Sequence, residues 1–346
     1  MPVFWSTDTK LHRPDGGVWV GVRIDDDEVA ERVDRVLEAV SSAGAALHEA
    51  PVVAVDALTE VHTPELVDFL GHAWAMWEAS GYENDPGMNR VVAYAWGHRD
   101  MTPAPRTARS PSALAGLFAT DTMTLLGPGS WEAIVAAAST ALAAADHVGE
   151  GGASAYALAR PPGHHAGRSF YGGSCYLNNA ALAAERLTRA FRTVAVVDVD
   201  AHHGNGTQSV FWDRPDVRYG SVHVDPAAGW YPHYVGHAHE SGGAPGANRN
   251  HPLPPGTGDD RWLEAVADLA AFSADSEALV VSLGVDAAAG DPESPLEITI
   301  DGYREAGRVL GTVGLPAVIV QEGGYVLDTL GDLVVAFLTG FEGAQK

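Results

Sequence analysis

The sequence predicts an α/β fold in which helices cover both faces of a mainly parallel β-sheet. Continuously apolar runs rich in β-branched residues occur at 193–199, 278–283 and 316–320, and such runs are typical of strands buried on both faces. Longer segments with helical periodicity alternate with these runs, as a parallel sheet requires. The chain of 346 residues contains 46% hydrophobic and 19% charged residues, which is a globular composition.

The remaining elements follow the same alternation. Shorter strands are expected at 155–159 and 217–222. The segments 103–111 and 225–259 are expected to be long loops, because they are rich in Pro, Gly or His. The strand–helix pattern resumes after each loop, so we expect one domain spanning 1–346. Helical periodicity is found at 28–43, 64–80, 130–147, 178–191, 259–274, 301–312 and 328–342.

Charge and cysteine content exclude several classes of protein. The chain has 21 Lys and Arg against 45 Asp and Glu, a formal net charge of −24, which argues against nucleic-acid binding through phosphate contacts. The single cysteine, Cys175, excludes an intrachain disulfide and a thiolate metal cluster. The first residues lack a signal pattern, and the Ala-rich stretch 131–148 is too polar to span a membrane. We therefore expect a cytoplasmic protein with no membrane or nucleic-acid partner.

Acidic and histidine side chains follow the most apolar predicted strand. Asp198, Asp200 and His202 alternate along the chain, so on an extended backbone they share one face. They lie at the carboxyl end of the strand, where open α/β sheets bind ligands. The two interpretations are a divalent metal site and a buried Asp–His hydrogen-bond network. Burying two carboxylates side by side without a cation is costly, which favours the metal.

Three further motifs follow other predicted strands, and each has two interpretations. His164 and His165 follow a turn framed by Pro and Gly, and they are either a general acid–base pair or an incidental surface pair. Asp286 follows the strand 278–283 and is either a third metal ligand or a helix cap. Tyr325 follows two glycines, which let the backbone approach a ligand closely, and its side chain points either into the site or into the core.

The order and spacing of five motifs resemble those of the histone deacetylase superfamily, whose members have an arginase-like fold. Within it the chain is most similar to the bacterial acetylpolyamine amidohydrolases, because of its length, its extra N-terminal sequence and the runs HHGNGTQ at 202–208 and GPGSWEA at 127–133. The five motifs are RPPGHHA at 160–166, GGSCYLNNA at 172–180, DVDAHHGNG at 198–206, GVDAAAGDP at 284–292 and EGGY at 322–325.

The resemblance implies a set of catalytic and metal-binding roles. Asp200, His202 and Asp286 would bind a catalytic zinc ion, and this oxygen-rich set also suits Fe(II) or Co(II). With the zinc, His165 would activate a water molecule for attack on an amide carbonyl, and the Tyr325 hydroxyl would help to stabilise the oxyanion. One of the tandem histidines would then protonate the departing amine, which leaves a free amine and a carboxylate, usually acetate.

The resemblance also implies partners for the histidines and a second ion. Asp198 would orient His164, whereas Asn205 would face His165 and leave its imidazolium form less favoured. A structural potassium ion would lie beneath the zinc. Its ligands would be the side chains of Asp198 and Ser221 and the backbone oxygens of Asp200, His202 and Val222.

The substrate tunnel is the part in which the chain departs from the family pattern. Ser174 stands where most members have an aromatic ring, which implies a wider or more polar tunnel. Trp230 or Tyr231 would form the opposite wall, and Tyr171 is a candidate to replace the missing ring. The glycines lining the tunnel would be Gly173 and Gly323.

Acidic residues at the site mouth are typical of the polyamine-specific members. The corresponding positions here, Ser112 and Met123, are neutral. The nearby Asp121 or the acidic run 25–28 would then supply the negative charge, although the run is also consistent with the solvated start of a helix.

Together these features predict a zinc-dependent amidohydrolase that removes an acyl group, usually acetyl, from a primary amine. A small acetylpolyamine-like substrate is favoured; the alternatives are acetyl-lysine in proteins and another small N-acyl amine of a biosynthetic pathway. The retained histidine pair and Tyr325 argue against a non-catalytic metal-binding protein. The HHGNG and EGGY motifs argue against a manganese-dependent ureohydrolase of the same fold. The resemblance also implies a homodimer in which 10–30 covers part of the partner's site.

Overall fold

A computed structural model of the protein describes residues 1–81, 89–97 and 108–345. Its centre is an eight-stranded sheet in which all neighbouring strands run parallel. A separate antiparallel hairpin consists of β2 (Gly17–Trp19) and β3 (Val22–Ile24). The strands of the central sheet are β1 (Pro2–Trp5), β4 (Ala46–Glu49), β5 (Ser154–Ala157), β6 (Val194–Asp198), β7 (Val217–Val224), β8 (Asn248–Leu253), β9 (Ala278–Leu283) and β10 (Ala317–Gln321). Their order across the sheet is β4-β1-β5-β10-β9-β6-β7-β8, which confirms the predicted fold class.

Helices surround this sheet, and each of the seven predicted helices is present with boundaries shifted by a few residues. In the parts of the chain that the structure describes, none of the helices has both the length and the apolar character that crossing a membrane requires. The helices are α1 (Glu31–Ser42), α2 (Val55–Leu58), α3 (Pro64–Ser80), α4 (Pro111–Phe118), α5 (Ser130–Gly149), α6 (Asn179–Leu187), α7 (Asn205–Phe211), α8 (Asp259–Ser273), α9 (Ile300–Gly311) and α10 (Leu327–Ala344).

Each central strand is buried on both faces. Val318 and Val320 of β10 point into one apolar cluster, whereas Ala317 and Ile319 of the same strand point into the other. Helices α3, α5 and α6 cover the first face, and α1, α8, α9 and α10 cover the second. Because successive side chains of a strand point to opposite faces, a strand covered on both sides reads as a continuous apolar run.

The elements that the sequence did not reveal are the edge strands β4 and β8, the neighbouring strand β1, the β2–β3 hairpin and the short helices α2, α4 and α7. All four residues of β4 are exposed, and β8 has the polar sequence NRNHPL. An edge strand is not buried on both faces, so it carries no apolar run. The prediction of a long loop over 225–259 is therefore wrong for 248–253. Of the other predicted loop, 103–107 lies outside the described residues, and Pro111 begins α4.

The sheet brings three chemistry-bearing segments to one edge. Strands β6, β9 and β10 are neighbours, with Asp198 paired to Ser282 and Gln321 paired to Leu283. The segments that follow these strands therefore leave the sheet side by side. The carboxyl end of β5, next to β10, leads into the tandem-histidine turn.

Candidate active site and metal centre

Asp200, His202 and Asp286 converge at this edge of the sheet. One ligand atom of each lies within 4.8 Å of the other two. The Nδ1 atom of His202 is 3.0 Å from Asp286 Oδ2 and 3.3 Å from Asp200 Oδ1. Both carboxylates are buried. A Cβ atom at Gly323 would lie 2.5 Å from Asp286 Oδ2 and 2.7 Å from Asp200 Oδ2, so only glycine fits beside the two carboxylates.

The chemistry of this donor set fits a divalent metal ion. Burial, together with the negative charge of Asp200, raises the pKa of Asp286 to about 7. Two adjacent buried carboxylates repel each other, and a cation between them removes that penalty. Two carboxylate oxygens and one imidazole nitrogen are ligands that Zn²⁺ and Fe²⁺ accept. A helix-cap role for Asp286 is not supported, because its Oδ1 accepts a hydrogen bond from Ala201 N instead.

The tandem histidines are buried beside the metal ligands, with their rings 4.0 Å apart. Their interpretation as an incidental surface pair is therefore wrong. His164 Nδ1 lies 3.0 Å from Asp198 Oδ2, and His165 Nδ1 lies 2.7 Å from Asn205 Oδ1. One histidine thus has a carboxylate partner and the other a neutral amide.

The two partners favour different charge states. Burial opposes protonation of His164, but Asp200 and Asp198 overcome it and raise its pKa to about 10. Burial and the neighbouring His164 hold the pKa of His165 well below the usual value. The surroundings of His164 thus favour the imidazolium form and those of His165 the neutral imidazole, a combination suited to acid–base chemistry.

Tyr325 is half-buried at the end of β10 and fixed by its backbone. Its N–H donates to Asp291 Oδ2 at 2.9 Å. The guanidinium of Arg32 lies 4.8 Å from the centre of its ring. Burial raises the pKa of the Tyr325 phenol well above its usual range, so the hydroxyl stays a neutral hydrogen-bond donor.

One wall of the approach to the histidines is formed by Tyr231. Its ring is 4.7 Å from that of His165 and nearly perpendicular to it, whereas Trp230 packs against the apolar core. A Cβ atom at Gly173 would lie 2.4 Å from His165 Cδ2 and 2.9 Å from Tyr231 Cε1. Ser174 follows it with a φ of 61°, in the left-handed region. Tyr171 does not replace the missing ring, because it is fully buried.

Asp121 lies beside this wall. Its Oδ2 accepts a hydrogen bond from Gly173 N at 2.6 Å, and its Oδ1 accepts from the backbone N–H groups of Met123 and Thr124, each at 2.9 Å. Tyr231 OH lies 3.5 Å from the same carboxylate. Asp121 therefore shapes the loop that borders the approach and places a negative charge there.

The acidic run 25–28 divides into two parts. Glu28 is fully buried and pairs with Arg32 at 2.9 Å and with Arg160 at 2.8 Å, so it does not supply charge at the mouth. Asp27 is exposed. The interpretation of the whole run as a solvated helix start is also wrong, because α1 begins at Glu31.

Four residues near the site were not predicted to be functional, and Glu293 is one of them. Much of its side chain is exposed. The part of the carboxylate that is removed from solvent nevertheless raises its pKa; the His202 imidazole opposes this shift, and the negative charge of Asp27 adds to it. Glu293 is therefore an exposed acidic residue within electrostatic reach of His202 and Asp27, and we call the group of Asp27, Asp121, Tyr231 and Glu293 the mouth of the site. An acidic residue just after the GVDAAAGDP motif was the available sequence signal. The others are Arg32, Asp291 and Glu322.

Three of the predicted potassium ligands lie on neighbouring strands, and the other two, Asp200 and His202, follow the first of these strands. Asp198 of β6 pairs in register with Ser221 of β7, and Val222 follows. The Ser221 hydroxyl is 2.7 Å from His223 Nδ1. The side chains of Asp198 and Ser221 are both fully buried.

Comparison with known proteins agrees with this geometry. Residues 26–341 match the family model described as the histone deacetylase domain. Acetylpolyamine amidohydrolase 1 of Pseudomonas aeruginosa is 39% identical over 330 residues, which is 92% of each chain. Acetylpolyamine amidohydrolase of Mycoplana ramosa is 37% identical over 99% of this chain and 100% of that protein. The crystal structure of acetylpolyamine aminohydrolase from Burkholderia pseudomallei superposes with a TM-score of 0.93 and 35% identity over 100% of both chains.

The family model covers most of the chain, and these relatives align over nearly their whole length. The chain therefore belongs to the histone deacetylase family and is a hydrolytic deacetylase.

Proposed function

We propose that this deacetylase uses a zinc ion to remove the acetyl group from a primary amine of a small cationic molecule of the acetylpolyamine class. The observation that carries the proposal is the buried Asp200–His202–Asp286 set lying next to a tandem histidine pair with unequal partners. The sheet that builds the site joins strands from residue 2 to residue 321, which supports one domain over 1–346.

The three donors would hold Zn²⁺, with Fe²⁺ or Co²⁺ as substitutes that suit the same ligands. The bound ion supplies Lewis acidity to the amide carbonyl and to the attacking water. A structural potassium ion is proposed at the carboxyl end of β6. Its ligands would be the side chains of Asp198 and Ser221 and the backbone oxygens of Asp200, His202 and Val222.

The protein's own groups would move the protons. His165, kept neutral by burial and the neighbouring His164 and lacking a carboxylate partner at Nδ1, accepts a proton from water as the oxygen bonds to the carbonyl carbon. The Tyr325 hydroxyl donates a hydrogen bond to the oxyanion. The histidine pair then delivers a proton to the nitrogen as the carbon–nitrogen bond breaks, which gives the amine and acetate. Asp198 keeps the His164 imidazolium oriented.

The charge of the approach supports a cationic substrate. Asp121 borders the tunnel wall, and Glu293 and Asp27 lie at the mouth. The relatives named above are acetylpolyamine amidohydrolases. Ser174, in place of a bulky ring, leaves room for a more polar or wider substrate than acetyl-lysine.

A homodimer is part of the proposal. The β2–β3 hairpin exposes apolar side chains, with Trp19 at 57%, Val20 at 84% and Val22 at 63% of their full accessibility. A contiguous exposed apolar segment of this kind is typical of an interaction surface.

A substrate panel on the zinc-loaded enzyme tests the function. It compares N-acetylputrescine, N8-acetylspermidine, N-acetylcadaverine, an acetyl-lysine peptide and a trifluoroacetyl-lysine reporter. We expect the polyamines to exceed the peptide by more than about tenfold in kcat/KM, or about 1.4 kcal/mol. Tyr325→Phe, the control, should lose about 100-fold in kcat on every substrate.

The panel also separates the alternatives. Preference for the peptide would identify acetyl-lysine in proteins, rather than a polyamine, as the substrate class. Turnover of the reporter alone would point to a bulkier N-acyl amine. Full activity in Tyr325→Phe would contradict the proposed mechanism.

A further inference from the structure

Glu322 is a buried carboxylate that the proposed mechanism does not use. It follows β10 and has no exposed surface. Its Oε2 accepts hydrogen bonds from Gly163 N at 2.6 Å and from His164 N at 3.1 Å. Its Oε1 accepts one from Ser282 Oγ at 3.2 Å. The side chain therefore connects the tandem-histidine turn to the end of β9.

The backbone of 322–325 holds other parts of the site. The carbonyl oxygen of Glu322 accepts a hydrogen bond from Arg32 Nη2 at 2.6 Å. The next residue, Gly323, donates its N–H to Asp200 Oδ2 at 2.9 Å. Tyr325 belongs to the same tetrapeptide, so Glu322 is the point at which the histidine turn is attached to the loop that presents the tyrosine.

We propose that Glu322 is a positioning residue that fixes the tandem histidines relative to the Tyr325 hydroxyl; this rests on the roles given to those groups in the proposed function. Two backbone N–H groups converge on a single carboxylate oxygen, so the position of the histidine turn depends on the reach of this side chain. Proton transfer and oxyanion binding must act on one substrate carbon at the same time. A displacement of about 1 Å between such groups costs about 100-fold in rate.

The same residues do not form a second metal site. One atom each of His164, Cys175 and Glu322 lies within 4.8 Å of the others. However, Glu322 Oε2 already accepts two N–H groups, and His164 Nδ1 faces Asp198. Burial raises the pKa of the Cys175 thiol well above its usual value, so the sulfur is not a thiolate.

Two substitutions separate reach from charge. Glu322→Gln keeps the length of the side chain, so its amide oxygen can accept from the turn and its amide N–H can face Ser282 Oγ. Glu322→Asp keeps the charge but is one methylene too short to reach Gly163 N and His164 N. A positioning role predicts that Glu322→Gln retains kcat within about fivefold. It also predicts that Glu322→Asp loses about 100-fold in kcat with KM within about threefold.

Hydrogen exchange supplies a readout that does not depend on turnover. The amides of 163–165 should exchange faster in Glu322→Asp than in the wild type, and at the wild-type rate in Glu322→Gln. Ser282→Ala is the matched control. It removes the donor to Oε1 but leaves both bonds to the turn, so kcat and exchange at 163–165 should stay within about twofold of the wild type. Metal content and thermal unfolding are measured for every variant, and kcat is compared well below the unfolding range.

Several outcomes would overturn the proposal. Equal activity of Glu322→Asp and Glu322→Gln would show that the reach of the side chain does not matter. A loss in Glu322→Gln with retention in Glu322→Asp would assign an electrostatic role to the carboxylate instead. A loss of kcat that follows metal content or unfolding would assign a structural role. If the wild type hydrolyses no acetylated amine, the proposed function fails instead, and the exchange experiment still decides whether Glu322 holds the turn.

Discussion

The floor and the mouth of the site are built in opposite ways. The floor is the buried group of Asp200, His202, Asp286 and the tandem histidines, whose polar atoms are held by neighbouring strands and loops. The mouth comprises Asp121, Tyr231, Asp27 and Glu293, which are partly or fully exposed and belong to loops. This difference leads us to predict that changes at the floor abolish the chemistry, whereas changes at the mouth alter the choice of amine, because exposed loop side chains are replaced at little cost in stability.

The largest effect is expected at the floor. Asp286→Ala removes one of the three proposed metal ligands and should lower kcat by at least about 1000-fold, together with metal stoichiometry. Elemental analysis and steady-state kinetics on the same preparation measure both. Asp275→Ala is the control, because this exposed carboxylate precedes β9, at the opposite end of the strand. Full metal content and activity in Asp286→Ala would show that this floor residue does not hold the metal.

A smaller effect is expected from changing the charge beside His165. Asn205→Asp gives this histidine a carboxylate partner, which favours its imidazolium form and raises its pKa. Because the neutral form accepts the proton, activity is lost as pH falls through that pKa. In a plot of kcat/KM against pH, the acidic limb should therefore move to higher pH. Asn205→Ala is the control: it removes the hydrogen bond without adding charge, so the acidic limb of this variant should not move to higher pH. If the limb of Asn205→Asp does not move either, His165 is not the base.

The smallest effect is expected at the mouth. Glu293→Gln should raise KM for a cationic acetylated amine by up to about fivefold, with kcat within about twofold, because an exposed ion pair is worth at most about 1 kcal/mol. The effect should shrink as salt rises. KM values at two ionic strengths test this, with Glu297→Gln, another exposed carboxylate, as the control. An equal change in KM for an uncharged acetylated amine would show that Glu293 does not recognise the charge of the substrate.

The sequence specified the floor residue by residue, whereas at the mouth it left alternatives open and gave no role to Glu293. Asp200, His202 and Asp286 follow long apolar strands whose pattern is unambiguous, and parallel strands must bring their carboxyl ends to one edge. At the mouth, the choice between Trp230 and Tyr231 depended on which ring meets His165. Glu28 and Tyr171 were placed wrongly, because their burial depends on partners such as Arg160 and on packing against distant residues.

Hydrophobic periodicity and short motifs are local properties, so they were enough to predict the fold class, five strands of the sheet, the seven longest helices and the residues at the strand ends. Other features became visible only in the folded molecule: the edge strands β4 and β8, the separation of Glu28 from Asp27, and the contact between Glu322 and the histidine turn. Gly163 and Glu322 are 159 positions apart. Such contacts form when the sheet brings distant segments together, and no local pattern of apolar and polar residues encodes them.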